Sequence, residues 1–130
     1  KIADYSLKTN KKLGRQIYSK LYNLSKSNKN NAEAQSVTIE INITKDKNAT
    51  AKDTTGKILQ YKIILSGSII IIDDSTDDEL LNHSFSYSSA YKAQSIYSET
   101  IKLENKSTED LINKIYHNLL IKMSEKMLTE

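Results

Sequence analysis

Apolar residues recur along this chain with two periods, and the periods divide it into six elements. Residues 2–8, IADYSLK, read as a short strand. In 9-TNKKLGRQIYSKLYNLSKSN-28, Leu13, Ile17, Leu21 and Leu24 are spaced by four, four and three, which is one face of a helix. Thr9 or Asn10 can cap its start, and Lys26 and Lys29 suit the negative end of its dipole. Gly14 weakens a helix by about 1 kcal/mol relative to alanine, and close packing on a sheet is a reason to keep it. Residues 28–35 read as a loop. Then 36-SVTIEINIT-44 alternates: Val37, Ile39, Ile41 and Ile43 take one face, Thr38, Glu40, Asn42 and Thr44 the other.

The next segment, 45-KDKNATAKDTTGK-57, is polar and is expected to be a long hairpin connection, with Gly56 able to take a positive φ. It leads into 58-ILQYKIILSGSIIIID-73. One face of that strand carries Tyr61, Ile63, Leu65, Ile69 and Ile71, and the other Lys62, Ile64, Ser66, Ser68, Ile70 and Ile72. Gly67 sits mid-strand, where a bulge would shift the alternation by one residue. After turn-forming 73-DDSTDDE-79, a fourth strand sets Leu81, His83, Phe85, Tyr87 and Tyr91 against Asn82, Ser84, Ser86 and Ser88. The C-terminal third is helical, with a stripe of Leu111, Ile112, Ile115, Leu119, Met123 and Met127. It starts either at a Ser107–Asp110 capping box or near Ser95 or Ser98.

Amphipathic helices need a sheet face to cover. The order β-α-β-β-β-α therefore predicts an α+β two-layer sandwich, with an approximately four-stranded mixed sheet and both helices packed on one face. Residues 1–130 are expected to form one domain. The outer sheet face is then polar except for Ile64, Ile70 and Ile72. Ile70 and Ile72 are expected to be shielded by neighbouring strands or to form part of a docking surface.

Composition removes several function classes. There are no cysteines, which excludes disulfides, thiolate metal sites and a cysteine nucleophile. No apolar run approaches the roughly 18 residues of a membrane-spanning helix. The net charge of +3 comes from 19 basic and 16 acidic residues without a basic stripe, so a nucleic-acid partner is not expected. Asp73, Asp74, Asp77, Asp78 and Glu79 lack the glycine and spacing of a calcium loop and read as a turn. His83 and His117 stand without a catalytic or zinc-binding context and read as satisfied structural or surface histidines. With no nucleophile elbow, phosphate loop or dinucleotide fingerprint, neither an enzyme nor a cofactor is expected. The Asn-x-Ser/Thr triplets at Asn42, Asn48, Asn82 and Asn105 fit an asparagine-rich chain. Tyrosine outnumbers phenylalanine 8 to 1. Tyr18, Tyr22, Tyr87 and Tyr91 suit surfaces that are half apolar and half wet. Lys45, Lys47, Lys52 and Lys57 form the densest basic cluster and are candidate ligands for phosphates or other anions.

Several stretches resemble a known family. The segment 83-HSFSYSSAYKAQSIYSETIKLENKSTEDLINKIYHNLLIKM-123 is similar to the C-terminal half of the lipopolysaccharide-assembly lipoproteins, the LptE family, of the α-proteobacterial type. The shared features are a small-small-Tyr step (Ser89, Ala90, Tyr91), a Ser-x-Tyr-small step (Ser95, Ile96, Tyr97, Ser98) and a long closing helix with an early acid. The segments 69-IIIIDDSTDDELL-81 and 12-KLGRQIYSKLYNL-24 resemble the family's strand–turn–strand and first helix. Three features depart from the family. The lipidated cysteine is expected upstream of Lys1, Asp77–Asp78 stand where a turn glycine is frequent, and Ser98 stands for the usual alanine. The resemblance implies a non-enzymatic lipoprotein on the periplasmic face of a Gram-negative outer membrane. Its implied role is as plug and assembly partner of the LptD β-barrel translocon, binding lipopolysaccharide, with membrane contact only through the lipid anchor. On that reading Lys45, Lys47, Lys52 and Lys57 meet lipopolysaccharide phosphates, and Ile70, Ile72, Tyr91 and Tyr97 dock the partner. The alternative is a periplasmic or secreted ligand-binding α+β domain without a barrel partner.

Overall fold

The computed structural model describes residues 2–27 and 36–128. The expected loop 28–35 and the side chains of Lys26, Lys29 and Met127 lie outside the described residues. The elements follow the expected order: β1 (Ile2–Thr9), α1 (Lys11–Ser27), β2 (Val37–Lys52), β3 (Ile58–Asp73), β4 (Glu79–Lys92) and α2 (Tyr97–Leu128). They build a mixed sheet of order β1-β2-β3-β4, with β1 parallel to β2 and the later pairs antiparallel. Both helices pack on one face of it.

Register fixes which side chains face the helices. Ile39 stands opposite Ile71, which stands opposite Leu81; Ile41 opposite Ile69 and His83 continues the same face. With Leu13, Ile17 and Leu21 of α1 and Leu111, Ile112, Ile115 and Leu119 of α2, these rows close one core. Asn10, rather than Thr9, caps α1: its Oδ1 accepts the Leu13 backbone N–H at 3.1 Å. Thr9 turns the chain out of β1 with φ 71°, a costly conformation for a β-branched residue. Gly14 lies on the buried side of α1, but a Cβ there would meet Leu7 and Ile41 at ordinary contact distances of 3.4 and 3.6 Å, so packing does not demand glycine.

Two expectations change, and one open alternative is decided. The segment 45–57 is not a connection. β2 and β3 are each 16 residues long, and β2 stays paired to Lys52, leaving only a tight turn closed by Asp53 and Gly56. Asp53 Oδ1 accepts the backbone N–H groups of Thr55 and Lys57, and Gly56 has the expected positive φ, 88°. Gly67 does not bulge either, because Ile43 and Phe85 face it in unbroken register. Glycine is required there because a Cβ would lie 1.8 Å from the Asn42 carbonyl oxygen. Finally, α2 is one helix of 32 residues beginning at Tyr97, with Glu99 in its first turn. Ser107 and Asp110 fall inside it, and Thr108 Oγ1 donates to the Glu104 carbonyl at 2.8 Å, a bond made within a running helix.

Candidate functional site

The extension of β2 decides where the four lysines go. Lys45 and Lys47 continue the phase of Ile41 and Ile43, so they point under α2 rather than outward. There they meet Glu104. Its carboxylate lies 3.0 Å from Lys45 Nζ and 2.6 Å from Lys47 Nζ, and accepts the Tyr91 hydroxyl at 2.9 Å. Lys47 also stands over the Tyr61 ring at 4.7 Å, and Tyr61 stacks on Tyr91. Burial alone would raise the Glu104 pKa, but the bonds from Lys47, Lys45 and Tyr91 outweigh it and hold the group at about 2. Burial, then the bond to Glu104, pushes Tyr91 up to about 12. The Glu104 bond raises Lys47. Lys45 and Lys47 are therefore both engaged by a single carboxylate, which leaves the pair a net charge of +1, and Tyr91, only 6% exposed, is a core residue rather than a docking one. Sequence reasoning missed Glu104, although a signal was present. Residues 104, 108, 111 and 115 share the helix face that carries the buried stripe, and an acid there needs inward-facing cations.

Lys52 and Lys57 remain exposed at the β2–β3 turn. The end of β4 lies beside them, since Gln60 pairs with Lys92 and the Ala93 N–H reaches the Leu59 carbonyl at 3.0 Å. Leu59 is 46% exposed, Ile96 59% and Tyr97 76%. The same end carries Lys62 and Lys92 and the acids Asp53, whose carboxylate closes its own turn, Glu99 in the first turn of α2, and Glu104 on Lys45 and Lys47. The opposite end of the sheet carries the run from Asp73 to Glu79. That run is a turn, as expected: Asp73 Oδ1 accepts both the backbone N–H and the hydroxyl of Ser75, and Asp74 accepts the Thr38 hydroxyl. The hydroxyl of Ser75, then its backbone N–H, lowers the Asp73 pKa. The strands thus run between an acidic end and a basic end that also exposes apolar side chains.

The uncovered sheet face is the third region. Ile64, Ile70 and Ile72 lie along its middle strand, half-buried. Cross-strand neighbours flank them: Glu40 and Asn82 beside Ile70, Asp46 and Ser88 beside Ile64. The exposed Asn42, Ser84, Ser86 and Ser88 complete a polar rim. The histidines separate. His117 is exposed on α2, whereas the buried Nε2 of His83 has no hydrogen-bond partner among the described residues, so His83 is not satisfied as expected. Burial, then the nearby charge of Lys122, lowers its pKa and keeps it neutral. Between α1 and α2 runs a groove of about 730 Å³, floored by Leu13 and Ile112 and walled by Lys12, Lys20, Asn105 and Asn113.

These features define a two-layer sandwich with one closed apolar face, one open face that is polar at its rim, and opposite charges at its two ends. Solved structures similar to this chain include bacterial lipoproteins. Rare lipoprotein B from Shewanella oneidensis is similar over 97% of this chain and 97% of its own, with TM-score 0.61 and 13% identity. A minor lipoprotein from Acinetobacter baumannii matches 90% of this chain and 88% of its own, with TM-score 0.55 and 16% identity. Lipoprotein B from Nitrosomonas europaea matches 89% and 79%, with TM-score 0.50 and 12% identity. No family model and no curated protein matches the sequence. At these identities the likeness establishes the fold.

Proposed function

We propose that this chain is an LptE-like envelope lipoprotein that plugs an LptD-like outer-membrane barrel and assists its assembly, with lipopolysaccharide as its ligand. The observation that carries this reading is the open sheet face, on a fold shared with three bacterial lipoproteins. Barrel lumens are polar. A plug therefore needs a broadly polar surface with a few apolar points of contact, and Ile64, Ile70 and Ile72 inside a rim of Ser, Asn and Thr meet that need. For lipopolysaccharide, the basic end offers Lys52, Lys57, Lys62 and Lys92 to phosphates and Leu59, Ile96 and Tyr97 to acyl chains. Lys45 and Lys47 leave the ligand set because Glu104 already holds them.

The test is co-expression with the LptD-like barrel of the same organism. Stoichiometric co-purification is expected, and Ile70→Asp with Ile72→Asp is expected to abolish it while the isolated chain keeps its circular dichroism spectrum. Failure of the unaltered chain to co-purify would reject the plug. Lipopolysaccharide binding is tested separately with Lys52→Glu and Lys57→Glu. A variant that binds as tightly as the parent would remove the basic end from the ligand site. The interhelical groove favours a second reading, a ligand-binding domain without a barrel. That reading predicts a small polar ligand bound by the isolated chain and no barrel in the purification.

A further inference from the structure

The two edges of the sheet are built differently. β1 is 8 residues long, carries Asp4 and Lys8, breaks register between Ile2 and Asp4, and ends in the left-handed Thr9. Short length, charge and irregularity are the devices that keep an edge strand from pairing with another chain. β4 has none of them along most of its length. It is 14 residues long, without proline, and its charged residues, Glu79 and Lys92, stand at its two ends. Among the described residues β3 is its strand neighbour on one side, and the other side is unpaired. On the open face Asn82, Ser84, Ser86, Ser88 and Ala90 are all exposed and mostly small, so nothing covers that flank. The backbone donors and acceptors along this edge match those of one more strand.

We propose that the outer edge of β4 is a strand-addition site, and that its occupant is an extended segment of another polypeptide with an acidic residue facing α2. Backbone pairing supplies the binding, and alternate side chains supply selectivity. On one side of an added strand, the small residues of β4 leave room for large side chains. On the other side stands α2. Lys114 Nζ lies 4.7 Å over the Tyr87 ring, and Asn118 Nδ2 donates to the Tyr87 hydroxyl. No carboxylate pairs with Lys114 among the described residues, since Asp110 on the same helix is taken by Lys106. An acid on the added strand, opposite the middle of β4, would meet that ammonium group.

The same lysine argues against a second copy as the occupant. Because opposed residues share a sheet face, a symmetric antiparallel pairing that uses most of β4 has its two-fold axis at a residue, and centring it on Ser86 sets Tyr87 of one copy opposite Phe85 of the other. Tyr87 of both copies then lies beside the axis, and the two Lys114 groups above them converge. Like charges facing each other across a strand pair are unfavourable. This inference does not depend on a barrel partner, because closed barrels offer no free strand to exchange.

The experiment titrates the isotopically labelled chain with a capped octapeptide of alternating threonine and valine, in which glutamate replaces one central valine. Resonance changes and slowed amide exchange are expected along β4. Methylating alternate peptide nitrogens is expected to abolish both, because it removes the backbone donors. Replacing the glutamate by lysine is expected to weaken binding about three- to fivefold, as for an exposed ion pair, and Lys114→Glu to reverse that preference. Three results would overturn the proposal: β4 amides undisturbed at millimolar peptide, equal binding of the methylated peptide, or sedimentation showing a dimer whose contact is β4.

Discussion

Ile69 and Ile70 are adjacent on β3 and chemically identical, yet they face different surroundings. Ile69, with 0% exposure, lies between Ile41 and His83 beneath the helices. Ile70 lies between Glu40 and Asn82 on the face that no helix covers. The closed face contains most of the material that holds the fold together, and the open face holds little of it. A face that adds little to folding and still keeps three isoleucines in its middle strand is the surface on which the proposed docking rests. Substitutions that separate the faces test this directly.

The largest effect is expected at the closed face. Ile69→Ala removes a fully buried side chain that its neighbours cannot replace, at a cost of about 2–5 kcal/mol. Urea denaturation should show a lowered midpoint with an unchanged slope. Gly67→Ala comes next. It adds a single methyl group, but that methyl collides with the Asn42 backbone on the neighbouring strand. About 1–3 kcal/mol of overpacking strain is expected, together with loss of amide protection in the middle of β2 and β3. A stable variant with unchanged exchange would mean that the clash is relieved without opening the strand pair.

Glu104→Gln follows, through the polar cluster that ties α2 to the closed face at its basic end. The substitution leaves Lys45 and Lys47 without their carboxylate and should cost about 1–3 kcal/mol. The same cluster gives the fold a pH dependence. Glu104 is held at about 2, below its ordinary value of 4.5. The unfolded chain therefore binds this proton more readily, and the stabilisation is fully present above roughly pH 5. It is lost as pH falls from about 4.5 towards 2. Asp73, also lowered, works in the same direction. The acid limb of a stability–pH curve should become shallower in Glu104→Gln; an unchanged limb would place the acid sensitivity elsewhere.

The two faces were legible in the sequence to different depths. Alternation in 36–44, 58–73 and 80–91 assigned Ile69 and Ile71 to the helices and Ile70 and Ile72 to the open side, because a period of two leaves no other choice once Gly67 keeps its register. Residues 45–52 were not legible by the same rule. Their inward positions are Lys45, Lys47 and Ala49, so no apolar alternation marks them, and β3 holds them in the sheet from across the ladder. The sixteen residues of β3, counted back from a turn at Asp53–Gly56, contained that information. The inward course of Lys45 and Lys47 was missed for the same reason, since a residue assigned to a loop is assumed to face water. Tyr91 failed differently. Its phase marked it as inward, but its carboxylate partner lies thirteen residues later on another element, and a tertiary contact of that kind has no local signature.

The smallest expected effect is the one that separates the faces most clearly. Ile70→Ala and Ile72→Ala each remove a half-buried side chain bordered by polar neighbours, so each should cost about 1 kcal/mol or less. Both side chains keep some contact with the cross-strand residues beside them, Glu40 and Asn82 for Ile70 and Thr38 for Ile72. That contact stabilises the sheet slightly and sets a floor above zero. Measured together in urea, the pair should lose less than Ile69→Ala alone, and their effects should add only approximately because the two sites lie on one strand. If the pair instead costs as much as the closed-face substitution, the open face belongs to the folding core, and its isoleucines no longer need a partner to account for them.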